Sequence, residues 1–215
     1  MRILRLWRFV MAAILVVGTA QAAEMSRDQA LKALGETEAS ERLAAVERLA
    51  EIGRMADADR LVSRLADADP QVRASAADAM WRIWSRSGDP AIDTLFARGV
   101  EQMQSSAYDD ALVVFNEIVA RKPQFAEGWN KRATLYFLLG RNQESLKDCD
   151  EVLKRNPNHF GALSGAGQIH LQLGNPQRAL EFFQRALKVN PNLQGLRQMI
   201  PMLEQHLREN RRNTT

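Results

Sequence analysis

Three histidines and one cysteine are the side chains in this sequence best suited to metal binding or nucleophilic chemistry, and their spacing supports neither. His159, His170 and His206 have no metal-ligand spacing with one another or with Cys149, and no HExxH, CxxC or GxSxG run is present. Gly165-Ala166-Gly167 has the glycines of a phosphate-binding loop, yet no strand precedes it and it falls inside an expected helix, where close packing explains both glycines. Paired carboxylates can do general acid–base work. Asp109 with Asp110 and Asp148 with Asp150, however, read as charges at helix starts or on solvated faces. Cys149 is alone, so no internal disulfide forms, and its position reads as a small buried hydrophobe rather than a reactive thiol. No catalytic, cofactor-binding or metal-binding residue is expected, and no cofactor; an enzyme is the weaker hypothesis.

The elements that must position these residues repeat. Pro123, Pro157 and Pro191 recur at 34 residues, as do Ala111, Ser145 and Ala179, and Leu112, Leu146 and Leu180. Gly99, Ala133 and Gly167 form another such series, and Phe115, Cys149 and Phe183 a further one; Gly140 and Gly174 match, with Ser106 in the corresponding place. A fixed period of this length marks a stacked helical array. In the second unit Trp129, Arg132, Ala133 and Tyr136 share one helix face, a turn follows at Gly140, and Ser145, Leu146, Cys149 and Val152 share the face of a second helix that ends before Pro157. In the third unit Leu163, Ala166, Gly167 and His170 precede a break at Gly174, Asn175 and Pro176, after which Ala179, Leu180, Phe183 and Ala186 follow. Asn175 is placed to cap and Pro176 to take the first helical position. Small residues are needed where the two helices cross closely, and the phenylalanines fill the space between neighbouring hairpins. A single hairpin cannot bury such a face, so the units must stack.

On these residues the chain resembles the tetratricopeptide repeat (TPR) family, in three units at 92–125, 126–159 and 160–193. The resemblance rests on the aromatic fourth place (Trp129), the small eighth (Gly99, Ala133, Gly167), the aromatic eleventh (Tyr136), the small twentieth, the large apolar twenty-fourth and the closing proline. The first unit departs with Leu95 and Gln102 at the two aromatic places, and the third has His170 at the second. The resemblance implies a concave face built by the first helix of each unit: Asp93, Phe96, Val100 and Met103, then Glu127, Asn130, Thr134 and Phe137, then Gly161, Ser164, Gln168 and Leu171, with Gln104 and Gln172 at the edge. From these, Phe96, Met103, Asn130, Thr134, Phe137, Ser164, Gln168 and Gln172 are the expected partner-binding residues: the amides can satisfy a peptide backbone, and the phenylalanines can take an apolar side chain. The TPR clamp that grips a C-terminal carboxylate is not reproduced. Phe96 and Val100 stand at its first basic and amide places, and Gly161 and Gly165 at its third-unit cations.

Residues 25–88 carry a weaker repeat. An offset of 31 pairs Leu34 with Leu65, Glu36 with Asp67, Glu38 with Asp69, Arg42 with Arg73, Ala45 with Ala76, Glu47 with Asp78, Leu49 with Met80 and Ile52 with Ile83, which implies two helical hairpins. In the second, Leu61 and Leu65 face inward, Asp69 caps, Pro70 opens a helix, and Val72, Ala76, Met80 and Ile83 form its buried stripe. The run from Leu65 to Arg73 and the alanine-rich stretch to Ala79 resemble a HEAT-like repeat, which implies a structural role for Asp69 and Arg73, such as bridging adjacent turns. Trp81 and Trp84 either pack near the junction with the later repeats or form an exposed aromatic patch. Residues 85–90 read as the boundary, ending in Gly88 and then an Asp89-Pro90 helix start. After Pro191, Leu193, Leu196, Ile200, Leu203 and Leu207 continue at helical spacing as a capping helix over 193–210, which Pro201 is expected to kink or split, before a disordered tail at 211–215.

The expected fold is therefore all-α: a right-handed helical-hairpin solenoid of about two HEAT-like hairpins (25–88), three TPR units (89–192) and a cap. Ahead of it Arg2, Arg5 and Arg8, the apolar run Phe9 to Val17 and the small residues Ala20-Gln21-Ala22 have the layout of a secretory signal peptide at 1–22. An uncleaved membrane anchor is the alternative, against which the run is shorter than the ~20 residues that span a bilayer. Without those three arginines the 29 basic residues become 26, equal to the 26 acidic ones. A neutral chain with no phosphate-binding stripe argues against a nucleic-acid partner. The expectation is a non-catalytic interaction module, periplasmic or secreted, binding a protein or peptide and no small-molecule substrate, with membrane contact only through an uncleaved signal segment. A purely structural subunit without a groove ligand is the rival.

Overall fold

The computed structural model describes residues 25–213, so the expected signal segment lies outside the described residues. The chain divides into two compact units at Ile83 and Trp84. Helices and turns make up both, and no strand occurs among the described residues.

In the first unit α1 (Arg27–Ala33) starts under a capping box. Ser26 Oγ accepts from the Gln29 amide at 3.3 Å while Gln29 Oε1 accepts from the Ser26 amide at 2.8 Å, satisfying two backbone donors that the helix start would otherwise leave open. The long helices are α2 (Ala39–Ile52) and α4 (Pro70–Trp84). Between them the expected inner helix is broken into the 3₁₀ turn Met55–Asp57, the short α3 (Ala58–Val62) and the 3₁₀ turn Ser63–Ala66. Only Leu61 and Leu65 in this stretch are deeply anchored large apolar residues, too few for a long buried stripe, while buried Asp57 draws the backbone round by accepting from the Arg54 amide at 2.7 Å. Leu61, Leu65, Val72, Ala76, Met80 and Ile83 are all buried, as their spacing predicts. Asp69 caps α4, accepting from the Gln71 and Val72 amides at 2.8 and 3.1 Å.

The 31-residue echo is visible in hydrogen bonds. Arg42 Nη1 donates to the carbonyls of Glu36 and Thr37 at 3.0 and 2.6 Å, and Arg73 Nη1 donates to those of Asp67 and Ala68 at 2.7 and 3.0 Å. Each arginine thus ties its helix to the loop before it at the same offset. The bridge between the two hairpins is made by Asp67 rather than Asp69: the Arg42 guanidinium donates to both its oxygens, at 2.8 and 2.6 Å. Asp69 is spent on its own helix cap, which leaves the residue two places earlier to face the arginine.

The second unit contains three hairpins: α5 (Pro90–Gln104) with α6 (Tyr108–Arg121), α7 (Ala126–Leu138) with α8 (Asn142–Arg155), and α9 (Phe160–Gln172) with α10 (Pro176–Val189). The turns repeat as the sequence does. Ser106, Gly140 and Gly174 all have left-handed backbone, with φ of 61°, 72° and 71°. Asp89 caps α5 through the Ala91 amide at 2.9 Å with Pro90 in the first turn, whereas Asn175 occupies the cap position of α10 without a side-chain cap bond.

The close crossings are Gly over Phe. A Cβ on Gly99 would lie 2.8 Å from the Phe115 ring, and one on Gly167 would overlap the Phe183 ring. In the middle hairpin the same pair is Ala133 and Cys149, packed in one cluster with Ala166 and Ile169. α11 (Gln194–Asn213) closes the array by placing Leu196 and Ile200 against Phe183 and its neighbours. Pro201 does not split it, since its φ is helical by construction and only the Arg197 carbonyl loses a partner. The helix also runs to Asn213, past the end expected at 210, continued by i,i+4 bonds such as Gln205 to Glu209 at 2.9 Å. Trp84 opens the second unit as a buried residue stacked on His159, with ring centroids 4.3 Å apart, so it is no exposed patch; Trp81 is half-buried.

Candidate functional site

The first helices α7 and α9 and the second helix α8 enclose a cavity of about 310 Å³ in the second unit. Its lining follows from the repeat. Where the flanking hairpins set a phenylalanine against a glycine, the middle one sets Cys149 against Ala133, and both of these line the cavity. Gly161 and Gly165 on α9 open the opposite wall; a Cβ on Gly165 would meet nothing within 4 Å. Phe137 and Ile169 supply larger apolar surface, and exposed Thr134 and Gln168 mark the mouth.

Five of the eight expected partner-binding residues meet here: Asn130, Thr134, Phe137, Ser164 and Gln168. Gln172 is exposed on α9 outside the lining, and Met103 is half-buried against the first hairpin's core. Phe96 departs from the expectation. It is 7% exposed, with its ring edge-on to Phe115 and Phe125 at centroid distances of 5.8 and 5.3 Å, because Gly99 one turn later lets α5 lie close on α6 and draws that face inward.

Glu127, expected on the concave face, is also buried, at 1% exposure. An isolated carboxylate in such a place is strongly disfavoured, so its partners must be good. His159 Nε2 lies 2.8 Å from Oε2, Lys131 Nζ 3.2 Å from Oε1, and Asn130 Nδ2 3.1 Å from each oxygen. Burial pushes the Glu127 carboxyl up, but the His159 hydrogen bond, the Lys131 charge and the Asn130 amide outweigh it and hold the group below the ordinary carboxylate range. His159 Nδ1 accepts from the Ala162 amide at 3.0 Å, so the ring carries its proton on Nε2 and donates it to Glu127 while capping α9. Asn130, expected to leave the core and face a ligand, does both tasks at once. It is 8% exposed, lines the cavity and holds the buried acid, so its replacement by alanine would disturb the fold as well as the groove.

The other chemistry-bearing residues take structural positions. Asp148 is buried rather than on a solvated face: Arg132 donates to its two oxygens at 2.7 and 2.8 Å, and the same guanidinium stacks on Trp129 at 4.9 Å. Asp148 could be recognised as the partner of Arg132 only across the hairpin, a pairing that helical periodicity does not report. Cys149 is 3% exposed, and burial together with Asp148 and Asp150 pushes its thiol up to about 12, far from a nucleophilic thiolate. Among the described residues no group of three or more His, Cys, Asp or Glu is placed to hold a metal ion, and no helix is long and apolar enough to cross a membrane.

Residues 124–192 match the family model of the tetratricopeptide repeat, the stretch that builds both walls of the cavity. A TPR repeat-containing protein of Rhizobium etli is 34% identical over 95 residues, 44% of this chain; the chain spans about half (47%) of the length of that relative. Among solved structures, the Sgt2 TPR domain from Aspergillus fumigatus aligns with a TM-score of 0.54 at 17% identity, covering 59% of this chain and 85% of that one. The first TPR of Spaghetti (RPAP3), solved bound to HSP90 peptide SRMEEVD, aligns with a TM-score of 0.52 at 22% identity, covering 54% and 92%. The fold is all-α, and the hairpins built by residues 124–192 are similar to tetratricopeptide repeats.

Proposed function

We infer that this chain is a non-catalytic protein-interaction module of the bacterial cell envelope, holding a segment of a partner protein in the groove between α7 and α9. The observation that carries the reading is the cavity itself. It is a shaped recess left open by Ala133 and Cys149 where flanking hairpins are filled, bordered by exposed Thr134 and Gln168, and no residue of its lining carries a formal charge. That a structural neighbour holds a peptide on the same fold adds to it. The envelope assignment rests on Arg2, Arg5, Arg8, the apolar run after them and the small residues ending at Ala22.

Gly165→Trp tests the groove without touching the fold, because a side chain there enters open space. Replacing a mid-helix glycine also removes a destabilising residue. Wild-type protein bound to a resin should retain envelope proteins that the variant at equal loading does not, with unchanged circular dichroism. Equal retention by both would mean that the groove is not the site and leave a purely structural role. N-terminal sequencing of the soluble envelope form should begin just after Ala22; a chain still starting at Met1 in the membrane fraction would remove the export reading.

A further inference from the structure

Of the twelve residues around the cavity none carries a formal charge: Asn130, Thr134, Ser145, Ser164 and Gln168 are the polar ones, and the rest are apolar or glycine. A carboxylate or an ammonium entering it would give up water for no counter-charge, a heavy loss, whereas an apolar group gives up nothing it needs. The size agrees. A cavity of ~150 Å³ takes a benzene-sized guest, so the 310 Å³ here suffices for one aromatic or branched aliphatic side chain.

The remaining hydrogen-bonding capacity of the wall is unusually restricted. Thr134 Oγ1 donates to the Asn130 carbonyl at 3.0 Å, Ser164 Oγ to the Phe160 carbonyl at 2.7 Å, and Ser145 Oγ to the Ala133 carbonyl at 2.7 Å, so all three hydroxyl protons are used within the protein. Asn130 is more than nine-tenths buried, and its amide cannot turn over. Its Nδ2 points at both Glu127 oxygens, and the flipped amide would set oxygen against carboxylate. Glu127 is in turn fixed by His159 and Lys131, 32 and 4 residues on. The end of Asn130 left for a ligand is therefore Oδ1, an acceptor, which takes no hydrogen bond from the described residues.

We propose that this groove takes an extended segment through one uncharged, bulky apolar side chain set over Cys149, with a backbone N–H of that segment donated to Asn130 Oδ1, and that a free carboxyl terminus plays no part. The proposal rests on the interaction reading above and adds what is recognised. Glu127 is a positioning residue: it meets no ligand but decides which face of the Asn130 amide the ligand meets.

The test uses the full chain and a displayed library of random decamers, shown once as internal segments with both ends blocked and once with a free carboxyl terminus. Selection on wild type, with counter-selection on Ala133→Gly/Cys149→Phe, which copies the flanking Gly–Phe pairs and fills the cavity, should enrich one fixed apolar position in both formats. Gly165→Trp serves in the counter-selection if the double variant does not fold. In the best selected peptide, Asp or Lys at the anchor should weaken binding roughly tenfold or more, and N-methylation of the bonded amide roughly three- to tenfold. Glu127→Gln, which frees the Asn130 amide to turn, should weaken the ordinary peptide by a similar factor and leave the N-methylated one unchanged, a coupling that a merely structural loss would not produce. Enrichment of charged anchors, dependence on a free carboxylate, equal losses for both peptides with Glu127→Gln, or no peptide enriched over the filled variant would each overturn the proposal. The first three would leave groove binding itself standing; only insensitivity of natural partner capture to Gly165→Trp removes that.

Discussion

The two units meet the same requirement, holding one helical hairpin to the next, with different chemistry. In residues 25–83 the links run through charge. Arg42 grips Asp67 and two loop carbonyls, Arg27 pairs with buried Asp57, and Arg73 repeats the loop contacts one unit later. In residues 84–213 the packing is mainly apolar and steric: within their hairpins Gly99 and Gly167 let Phe115 and Phe183 reach 0% exposure, Phe96 adds to the first of these cores, and the buried polar link from one hairpin to the next is the Glu127–His159 hydrogen bond. The difference follows from the sequence periods. The first unit breaks its inner helix into short turns whose loop carbonyls need donors, while the second has full-length helices whose backbone groups satisfy one another.

That contrast can be broken most forcefully at the steric end. Phe183→Ala should cost ~3–5 kcal/mol, the range for emptying a large core side chain, and lower the melting temperature of the second unit's transition by many degrees. An unchanged melt would deny that the Phe183 crossing holds the third hairpin. Gly167→Leu should cost ~1–3 kcal/mol or more, since the added side chain has only the Phe183 ring to displace.

Acid should reach the first unit sooner. The Arg42 hydrogen bond holds the Asp67 carboxyl below its ordinary value; for Asp57, burial pushes upward, but the Arg27 and Arg54 hydrogen bonds win and the net shift is again downward. A carboxyl depressed in the folded state contributes stability that is complete above its unfolded value and is lost as pH falls through the folded one, so the losses belong below pH ~4. In the second unit buried Glu127 is likewise held down, beside a large apolar core. Hydrogen exchange at pH 3 should therefore show the amides of α2 and α4 losing protection before those of α9 and α10; simultaneous loss would contradict the charge-held description. Smallest is Ser106→Gly. Serine there holds φ at 61° where Gly140 and Gly174 serve the other turns, and relieving it should raise stability by ~1 kcal/mol, offset in part by glycine's greater freedom when unfolded.

Much of the second unit was legible because its signals are local or strictly periodic. The 34-residue series located Gly99, Gly167 and their phenylalanines before any contact was known, and Asp69, Asp89 and Pro90 marked helix starts by residue type alone. The partner face was legible in part: five of the eight residues meet in the cavity. Phe96 misled because the repeat pattern assigns it a direction, whereas how deeply that direction is covered depends on Phe115 and Phe125 from other helices. Glu127 and Asp148 misled for a related reason. A carboxylate reads as surface until a donor is found for it, and their donors, His159 and Arg132, lie on other helices.

By itself the sequence determined the helical hairpins of the second unit and their phase, because backbone geometry and residue size act over three to five positions and repeat with the unit. Only the tertiary structure decided which polar groups are inside and where the array is hollow. A buried carboxylate needs several donors converging from different helices, and Cys149 with Ala133 leaves a cavity only because α9 presents Gly161 and Gly165 to the same space. Such convergence is a property of the packed helices, and no spacing along one chain segment expresses it.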